Sequence, residues 1–280
     1  MVDTHTILVG GLGFSVDVAG PSHGPPVLLL HGFPETRVMW RHALNALPLA
    51  GYRAIAPDQR GYSRGARPKE LDAYATDRLA EDALGLMDAL GHRRFHLVGH
   101  DWGGQLSWLI AAAHAQRLLS LAVLSRPHPA AFARAMREDP EQSGRSSHHR
   151  AFREPDAVAR MRQARLKPLR DALLRQGVPQ SHTEMYIAQL LEDGAIEGAM
   201  SWYRASGIAA TETPRVATPT LYVWGTDDST VGRRAAEWTR EYVSGRYQFV
   251  EIEGAGHFVV DQMPERVSAL LIEHLQSVGA

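Results

Sequence analysis

The sequence contains no cysteine among its 280 residues. A chain without cysteine has no disulfide framework, no thiolate metal site and no cysteine nucleophile. An excess of one charge is also missing, because 30 Lys and Arg residues stand against 31 Asp and Glu residues, for a formal net charge of -1. Nucleic-acid-binding domains usually carry a strong excess of positive charge. Disulfide-rich domains, zinc fingers and nucleic-acid binders are therefore excluded.

Long hydrophobic runs are missing as well. The longest, such as residues 27–30 and 109–113, are far shorter than the roughly 20 apolar residues that a membrane helix requires. Residues 1–20 lack the basic stretch, apolar run and small-residue cleavage site of a signal peptide. We therefore expect no membrane interaction and a cytoplasmic location. The length suits one large domain or two smaller ones with a sizeable core.

Strand patterns alternate with helix patterns at both ends of the chain. Strands are predicted at residues 6–9, 14–18, 26–30, 52–57, 95–99, 220–224 and 247–252. The run 26–30 is continuously apolar, which is typical of a strand buried on both faces. Helices are predicted at residues 74–90, where Gly91 ends the pattern, and at 233–243 and 264–278. This alternation predicts a mostly parallel sheet.

The alternation stops between about His128 and Pro214, where the sequence becomes helical and polar. Helices are predicted at residues 129–137, 156–176, 182–191 and 197–206. We interpret residues 128–213 as a helical cap inserted between two parts of an α/β core, 1–127 and 214–280. Ten arginines occur between Arg134 and Arg175. They favour exposed helix faces balanced by nearby acids over an anion-binding patch.

Residues 99–104, with the sequence GHDWGG, carry the strongest chemical signal, because they connect a predicted strand to a predicted helix that starts near Gln105. Small residues at both shoulders of such a turn are typical of a nucleophile elbow, which exposes its central side chain. That side chain is Asp101. A carboxylate in this position can displace a leaving group at a saturated carbon and form an alkyl ester. An ordinary glycine-bounded turn with a solvated aspartate is the alternative.

Two later motifs complete a triad in the order nucleophile, acid, histidine. His257 follows the last predicted strand, from where a loop histidine can reach back to the elbow. The acid is expected after the strand that ends at Trp224, where both Asp227 and Asp228 are candidates. Its spacing from Gly225 favours Asp228.

The loop after the third strand, residues 31–35, has the sequence HGFPE. In a fold with a nucleophile elbow, this loop supplies one backbone N–H of an oxyanion hole and the residue after the nucleophile supplies the other. Phe33 and Trp102 are the predicted donors. Pro34 could place a cis peptide bond in this loop.

The chain resembles the epoxide hydrolase and haloalkane dehalogenase group of the α/β-hydrolases over essentially its whole length. The motifs that carry the resemblance are residues 31–35, 58–63, the turn around Asp101, 225–228, 256–257 and, in the cap, 201–204. The resemblance implies an α/β-hydrolase fold: a mostly parallel eight-stranded sheet with flanking helices and an inserted helical cap. It also implies a hydrolase without a cofactor or metal. The resemblance does not separate the activities of the group, so the prediction of a small apolar epoxide and water as substrates depends on the side chains discussed next. We expect a monomer or a homodimer.

An epoxide hydrolase also needs a proton donor for the epoxide oxygen, which the family resemblance assigns to cap tyrosines. Tyr203 matches one of them, and its phenol stays protonated at neutral pH because its reference pKa is about 10. A packed aromatic beside Trp202 is the alternative for this residue. The second tyrosine is replaced within residues 147–150, SHHR, where the resemblance places His148 at the donor position, or His149 if the register shifts by one. Tyr186 is interpreted as a core residue.

Particular side chains separate the activities of this group. Haloalkane dehalogenases bind the halide with the tryptophan after the nucleophile and a second N–H from an asparagine or another cap tryptophan, but Phe33 replaces that asparagine. A fluoroacetate dehalogenase would have Arg in place of Trp102, and an esterase would need a hydroxyl or thiol at position 101. We therefore predict an epoxide hydrolase. A haloalkane dehalogenase is the enzymatic alternative, and an inactive ligand-binding protein of the same fold is the non-enzymatic one.

Overall fold

Eight strands form one sheet in the computed structural model of the protein, which describes residues 1–205 and 212–278. The strands are β1 (Val2–Val9), β2 (Leu12–Ala19), β3 (Pro26–Leu30), β4 (Arg53–Pro57), β5 (Phe95–His100), β6 (Leu118–Leu124), β7 (Thr220–Gly225) and β8 (Tyr247–Ile252). Their order across the sheet is β1-β2-β4-β3-β5-β6-β7-β8. β2 is antiparallel to both neighbours, and the other adjacent pairs are parallel. The expected mostly parallel eight-stranded sheet is confirmed.

The sequence patterns locate every one of these strands except β6. This strand lies between β5 and β7 and pairs in parallel with both. Its residues, LLSLAVL, form a short apolar run that no glycine or proline separates from the preceding helix. Periodicity alone does not distinguish a strand from a helix in such a run.

The central strands are buried on both sides. Leu28 and Leu29 of β3, and Leu97 and Val98 of β5, have no solvent exposure. Continuous apolar runs are expected where helices cover both faces of a parallel sheet. The prediction of a fully buried strand at residues 26–30 is therefore confirmed. This rigid centre carries the loops that follow β3 and β5.

Within the described ranges, the helices lie between β3 and β8 and after β8. In chain order they are α1 (Arg41–Leu49), α2 (Thr76–Ala89), α3 (Asp101–Ala113), α4 (Pro129–Glu138), α5 (Pro140–Arg145), α6 (His148–Arg153), α7 (Ala157–Gln163), α8 (Lys167–Arg175), α9 (Gln180–Leu190), α10 (Ala195–Ala205), α11 (Arg233–Trp238), α12 (Val259–Gln262) and α13 (Pro264–Val278). None of these helices, all from residues 1–205 and 212–278, has the length and hydropathy needed to cross a membrane.

Two core helices differ from their predicted bounds. α3 begins at Asp101 rather than near Gln105, because the chain completes its turn from strand to helix within Asp101 itself. The predicted helix 233–243 is α11 followed by a 3₁₀-helix at Thr239–Tyr242. α2 ends just before Gly91, whose φ of +79° matches the expected stop.

The cap region contains α4 to α10, but one of its predicted helices is wrong. The helix expected over residues 156–176 is divided into α7 and α8, because Arg165 and Leu166 have φ values of +47° and +55°. The left-handed conformation costs about 1–2 kcal/mol per residue. Complete burial of the Leu166 side chain offsets part of that cost.

The cap boundaries at residues 128–213 stay a prediction. The predicted helix 197–206 corresponds to α10, and its last residue, Ser206, lies outside the described residues.

Arginines of the cap pair with acids on exposed helix faces, as the sequence predicts. The pairs are Arg134 with Glu138 and Glu241, Arg145 with Glu141, Arg160 with Glu154 and Asp156, Arg162 with Glu197, and Arg170 with Glu184. Exposed pairs of this kind contribute about 0–1 kcal/mol each. These arginines are therefore paired with acids, and their arrangement does not favour an anion site.

Candidate active site

Asp101 occupies the sharp turn where β5 passes directly into α3. Its φ of +47° lies in the left-handed region that residues other than glycine rarely adopt. The neighbouring glycines make this turn possible. A Cβ on Gly99 would lie 2.3 Å from the carbonyl oxygen of Gly103, and a Cβ on Gly32 would lie 2.5 Å from Cβ of Asp101. The turn has the geometry expected of a nucleophile elbow, with a carboxylate at its centre.

His257, in the loop after β8, contacts both carboxylates expected from the sequence. Its Nε2 lies 3.5 Å from Oδ2 of Asp101, and its Nδ1 lies 3.1 Å from Oδ2 of Asp228. All three side chains are buried. Asp227 is exposed, and its carboxylate contacts the Thr226 hydroxyl instead. The fold thus brings Asp101, Asp228 and His257 together and leaves Asp227 outside the site.

The carboxylate of Asp228 is bound by the backbone of its own loop. Oδ1 accepts hydrogen bonds from the N–H of Thr230 at 2.7 Å and from the N–H of Val231 at 2.9 Å. Backbone N–H donors stabilise the charged form of a carboxylate and fix its orientation. Asp228 therefore holds the His257 ring with Nδ1 toward itself and Nε2 toward Asp101.

The charges of this cluster shift one another's pKa values. Burial alone would lower the pKa of His257, but the charge of Asp228 and the hydrogen bonds with Asp101 and Asp228 raise it to about 10. Burial alone would raise the pKa of Asp101, but the hydrogen bond and charge of His257 hold it well below its usual range. At neutral pH the resting site therefore contains an Asp101 carboxylate paired with a His257 imidazolium.

One predicted oxyanion donor already contacts the nucleophile. The N–H of Phe33 donates a hydrogen bond to Oδ1 of Asp101 at 3.0 Å. The N–H of Trp102 belongs to the first turn of α3, where backbone N–H groups have no partner within the helix. The Phe33–Pro34 peptide bond is cis. These positions suit two donors directed at one oxygen of the Asp101 carboxyl group.

A cavity of about 250 Å³ adjoins Asp101 and His257, and both proposed proton donors, Tyr203 and His148, line it. Apolar side chains form much of the remaining wall: Phe33, Pro34, Phe152, Leu169, Ala172 and Phe258. Polar side chains form another part: Arg145, Gln176, Ser229 and Thr230. The cavity is therefore amphipathic rather than purely apolar.

Tyr203 of α10 is buried and makes edge contacts with the rings of Phe33 and Trp102. Burial and the negative charge of Asp101 raise the pKa of Tyr203 well above 10, while Trp102 and Arg126 oppose the rise. Its phenol is therefore protonated at neutral pH and can donate a hydrogen bond into the cavity.

His148 lines the cavity, whereas His149 is turned away and packs against Trp102 and Tyr203. Burial lowers the pKa of His148, although the charge of Asp101 opposes this. Nδ1 of His148 donates to the carbonyl oxygen of Arg145 at 3.2 Å. In the neutral ring Nε2 is then an acceptor, so His148 can donate through Nε2 only when it is protonated.

Two site residues were missed by sequence reasoning, although both lie within motifs it uses. Glu35 and His100 are fully buried, and Oε2 of Glu35 lies 2.6 Å from Nδ1 of His100. Nε2 of His100 donates to the backbone carbonyl of His257 at 2.8 Å. This pair fixes the backbone of the loop that carries His257. The available signal was that Glu35 is the one carboxylate of residues 31–35, a loop expected beside the elbow, and a carboxylate buried there requires a partner.

Tyr186 was interpreted as a core residue, and no metal site was expected. Tyr186 is buried, as expected of a core residue, and its hydroxyl donates to Asp261. Across residues 1–205 and 212–278, no group of three or more His, Asp or Glu side chains has the arrangement of a metal site.

Comparisons with known proteins agree with the observed fold. A family model described as the alpha/beta hydrolase fold matches residues 25–264. The AB hydrolase superfamily protein YfhM of Bacillus subtilis is 31% identical over 95% of this chain and 96% of its own length. Epoxide hydrolase A of Mycobacterium tuberculosis is 33% identical over 98% of this chain and 96% of its own length. A solved structure of an epoxide hydrolase from hot-environment metagenomes has a TM-score of 0.87 at 29% identity and covers 98% of both chains.

Replacing Gly103 with Ala should destabilise the elbow. The added Cβ would lie 2.3 Å from the carbonyl oxygen of Leu30, and backbone atoms must move to relieve that overlap. We expect the free energy of unfolding to fall by about 2 kcal/mol or more in urea denaturation. Gly144→Ala is the control, because nothing lies within 4 Å of its added Cβ. Equal stability of the two variants would contradict this account of the turn.

Replacing Asp101 with Asn should lower the pKa of His257 by at least one unit, because one of the two charges that stabilise the imidazolium is lost. NMR titration of the histidine rings measures this directly. In the wild type, the stabilisation from His257 is fully present below its unfolded pKa of about 6.5 and is lost as pH rises toward 10.

His128 provides the internal reference for that titration. Burial lowers its pKa to about 4, and its ring stacks on Tyr242 away from the nucleophile. Its titration should be the same in the wild type and in Asp101→Asn. A His257 pKa that also stays unchanged would show that the two side chains are not coupled.

Proposed function

Because the chain belongs to the α/β-hydrolase family and, within it, to the epoxide hydrolases, we propose that it converts an epoxide to a vicinal diol through an ester on Asp101. The observation that carries this proposal is the carboxylate at the nucleophile elbow, which lines the cavity and contacts His257. A carboxylate nucleophile suits attack on a saturated carbon.

The first half-reaction forms the ester. Oδ2 of Asp101 attacks an epoxide carbon, and the bond from that carbon to the epoxide oxygen breaks. The leaving oxygen takes the phenolic proton of Tyr203, whose high pKa keeps that proton available at neutral pH. His148 assists this step when its ring is protonated. The products are a hydroxyalkyl ester on Asp101 and a Tyr203 phenolate.

Ester formation also changes the state of His257. Once Asp101 is esterified it carries no charge, so His257 retains only the stabilisation supplied by Asp228 and its pKa falls. The imidazolium proton then passes to the Tyr203 phenolate, through water in the cavity. This transfer restores the proton donor and leaves His257 neutral, which is the form that can act as a base.

The second half-reaction hydrolyses the ester. Neutral His257, oriented by Asp228, takes one proton from a water molecule, and the hydroxide attacks the carbonyl carbon of Asp101. The N–H groups of Phe33 and Trp102 stabilise the tetrahedral oxyanion. Collapse expels the diol oxygen, which takes the second proton of that water. The Asp101 carboxylate and the His257 imidazolium are thereby regenerated.

The haloalkane dehalogenase alternative lacks a second halide donor. The indole N–H of Trp102 is buried and Trp102 does not line the cavity, and Phe33 presents only carbon from its side chain. The cap tryptophan next to the site, Trp202, donates its indole N–H to the carbonyl oxygen of Arg60 at 2.9 Å. The phenol of Tyr203, in contrast, can supply the proton that the epoxide oxygen requires. The geometry therefore supports ring opening better than halide release.

The substrates are an epoxide and water. A cavity of about 250 Å³ favours a small epoxide, and its aromatic wall favours an apolar substituent. The expectations of a cytoplasmic location and of a monomer or homodimer stay predictions from the sequence.

Replacing His257 with Gln should trap the ester. Attack by Asp101 needs no base, whereas hydrolysis does, so the variant should retain a covalent adduct after exposure to terminal aliphatic and aryl epoxides. Intact-protein mass spectrometry should find a mass increase equal to one whole epoxide molecule. The same panel should include haloalkanes, because an adduct of an alkyl group alone would indicate a dehalogenase.

The control for the trap is the double variant that also carries Asp101→Ala, which should form no adduct. Asp101→Ala alone should have no turnover. An adduct that persists without Asp101, or full turnover by the His257→Gln variant, would refute the two-step scheme. Absence of any adduct together with intact ligand binding would favour the inactive ligand-binding alternative.

Replacing Tyr203 with Phe should slow ester formation by about 10²- to 10⁴-fold, because the leaving oxygen loses its proton donor. His148→Gln should have a smaller effect, because the neutral His148 ring cannot donate through Nε2. Rapid mixing with styrene oxide, followed by acid quench and mass analysis, measures this step. Tyr186→Phe is the matched control, since Tyr186 lies in the cap but does not line the cavity. Similar rates for both tyrosine variants would remove Tyr203 from the mechanism.

A further inference from the structure

The short cap helix α5 contacts the loop that carries Asp228. Gln142 of this helix is fully buried, although its carboxamide takes no part in the proposed reaction. Its Nε2 donates to the carbonyl oxygen of Thr230 at 2.8 Å, and its Oε1 accepts from the N–H of Gly232 at 2.8 Å. One side chain from the cap therefore binds the backbone on both sides of Val231.

The peptide group bound by Gln142 is also one that binds Asp228. The carbonyl of Thr230 and the N–H of Val231 belong to the same peptide, and that N–H donates to Oδ1 of Asp228 at 2.9 Å. A hydrogen-bonded chain thus runs from Gln142 through this peptide and Asp228 to Nδ1 of His257. Hydrogen bonds in such a chain polarise and strengthen one another.

Further contacts fix the Gln142 carboxamide. Its second N–H donates to the hydroxyl oxygen of Ser146 at 3.0 Å, so both protons of the amide are used. Arg145, from the same helix, donates through Nη1 to the carbonyl oxygen of Asp228 at 2.5 Å. The loop that carries Asp228, residues 228–232, is called the acid loop below. It is therefore attached to the cap at three backbone positions, which are Asp228, Thr230 and Gly232.

We propose that Gln142 is a positioning residue for the second half-reaction: from the cap, it fixes the backbone that orients Asp228 and, through Asp228, the base His257. This inference rests on the two-step function proposed above. Hydrolysis of the ester requires a correctly oriented base, whereas attack by Asp101 on the epoxide does not. Loss of the Gln142 hydrogen bonds should therefore slow ester hydrolysis more than ester formation.

The test measures both half-reactions in the Gln142→Met variant, in which the side chain has a similar length but no amide hydrogen bonds. Rapid mixing with styrene oxide and mass analysis of the quenched protein give the rate constants for ester formation and hydrolysis. We expect hydrolysis to slow at least about tenfold and formation less than about threefold, so that ester accumulates at steady state. Equal slowing of the two steps, or no slowing, would overturn the proposal.

Gln189→Met is the matched control. Gln189 is also a cap glutamine that binds the core, with Nε2 donating to Oδ2 of Asp58 at 2.9 Å, but it contacts no part of the acid loop. Its replacement removes a cap-to-core hydrogen bond without touching Asp228. The ratio of the two rate constants should stay as in the wild type. If both glutamine variants change this ratio equally, the effect belongs to cap attachment in general and the proposal fails.

A double-mutant cycle with Asp228→Asn separates positioning from general stability. If Gln142 acts through Asp228, Gln142→Met should slow hydrolysis by less than about twofold when Asp228 is already replaced. Independent, multiplicative effects would contradict the proposed chain. Should Gln142→Met fail to fold, Gln142→Asn keeps a neutral amide but is one methylene shorter, so it cannot bind Thr230 and Gly232 as Gln142 does, and it should give the same shift.

The outcomes also distinguish this inference from the function on which it rests. If the His257→Gln variant forms no ester with any epoxide, the proposed function fails. If ester forms and hydrolyses in the wild type but the Gln142 variants leave the ratio of the two steps unchanged, only the role of Gln142 is overturned.

Discussion

The buried cluster of Asp101, His257 and Asp228 constrains the loops at the carboxyl ends of the strands, because three ionisable side chains share a site with little exposure to solvent. Charged groups are tolerated in a protein interior only when opposite charges or hydrogen-bond donors meet them. In this cluster the donors are backbone N–H groups, from Phe33 after β3 and from Thr230 after β7. The loops that follow parallel strands meet at one edge of the sheet. The sheet therefore places these donors around the cluster.

In the proposed mechanism, the mutual dependence of these charges lets one histidine serve two different steps. With Asp101 ionised, the pKa of His257 is raised and its ring holds a proton in the resting site. Esterification of Asp101, as proposed above, would remove that charge, so that His257 releases the proton and can act as a base. Tyr203 differs because burial keeps its phenol protonated throughout the physiological range. In the proposed reaction these two groups therefore divide the acid and base work: the pKa of Tyr203 stays high throughout, whereas the pKa of His257 falls when Asp101 is esterified.

The sequence allowed prediction of those site residues whose positions follow from strand ends. Asp101, Asp228 and His257 each follow a strand, and parallel topology makes their loops converge. Asp227 stays exposed because spacing from the strand end decides which of the two aspartates faces inward. The helix predicted at 156–176 was wrong, because Pro168 lies in its middle and is accommodated only in the first turn of a new helix, α8, which begins after the left-handed residues Arg165 and Leu166.

Local pattern and chain order predict most of the strands and helices, the carboxylate at the elbow and the candidate triad, but they miss β6 and the break in the helix at 156–176. Tertiary packing sets which cap side chains face the cavity: His148 lines it, and His149 is turned away. It also pairs Glu35 with His100 and places Gln142 against the loop that carries Asp228. These contacts join residues far apart in the chain, so their partners are set by packing between elements, which no local pattern encodes.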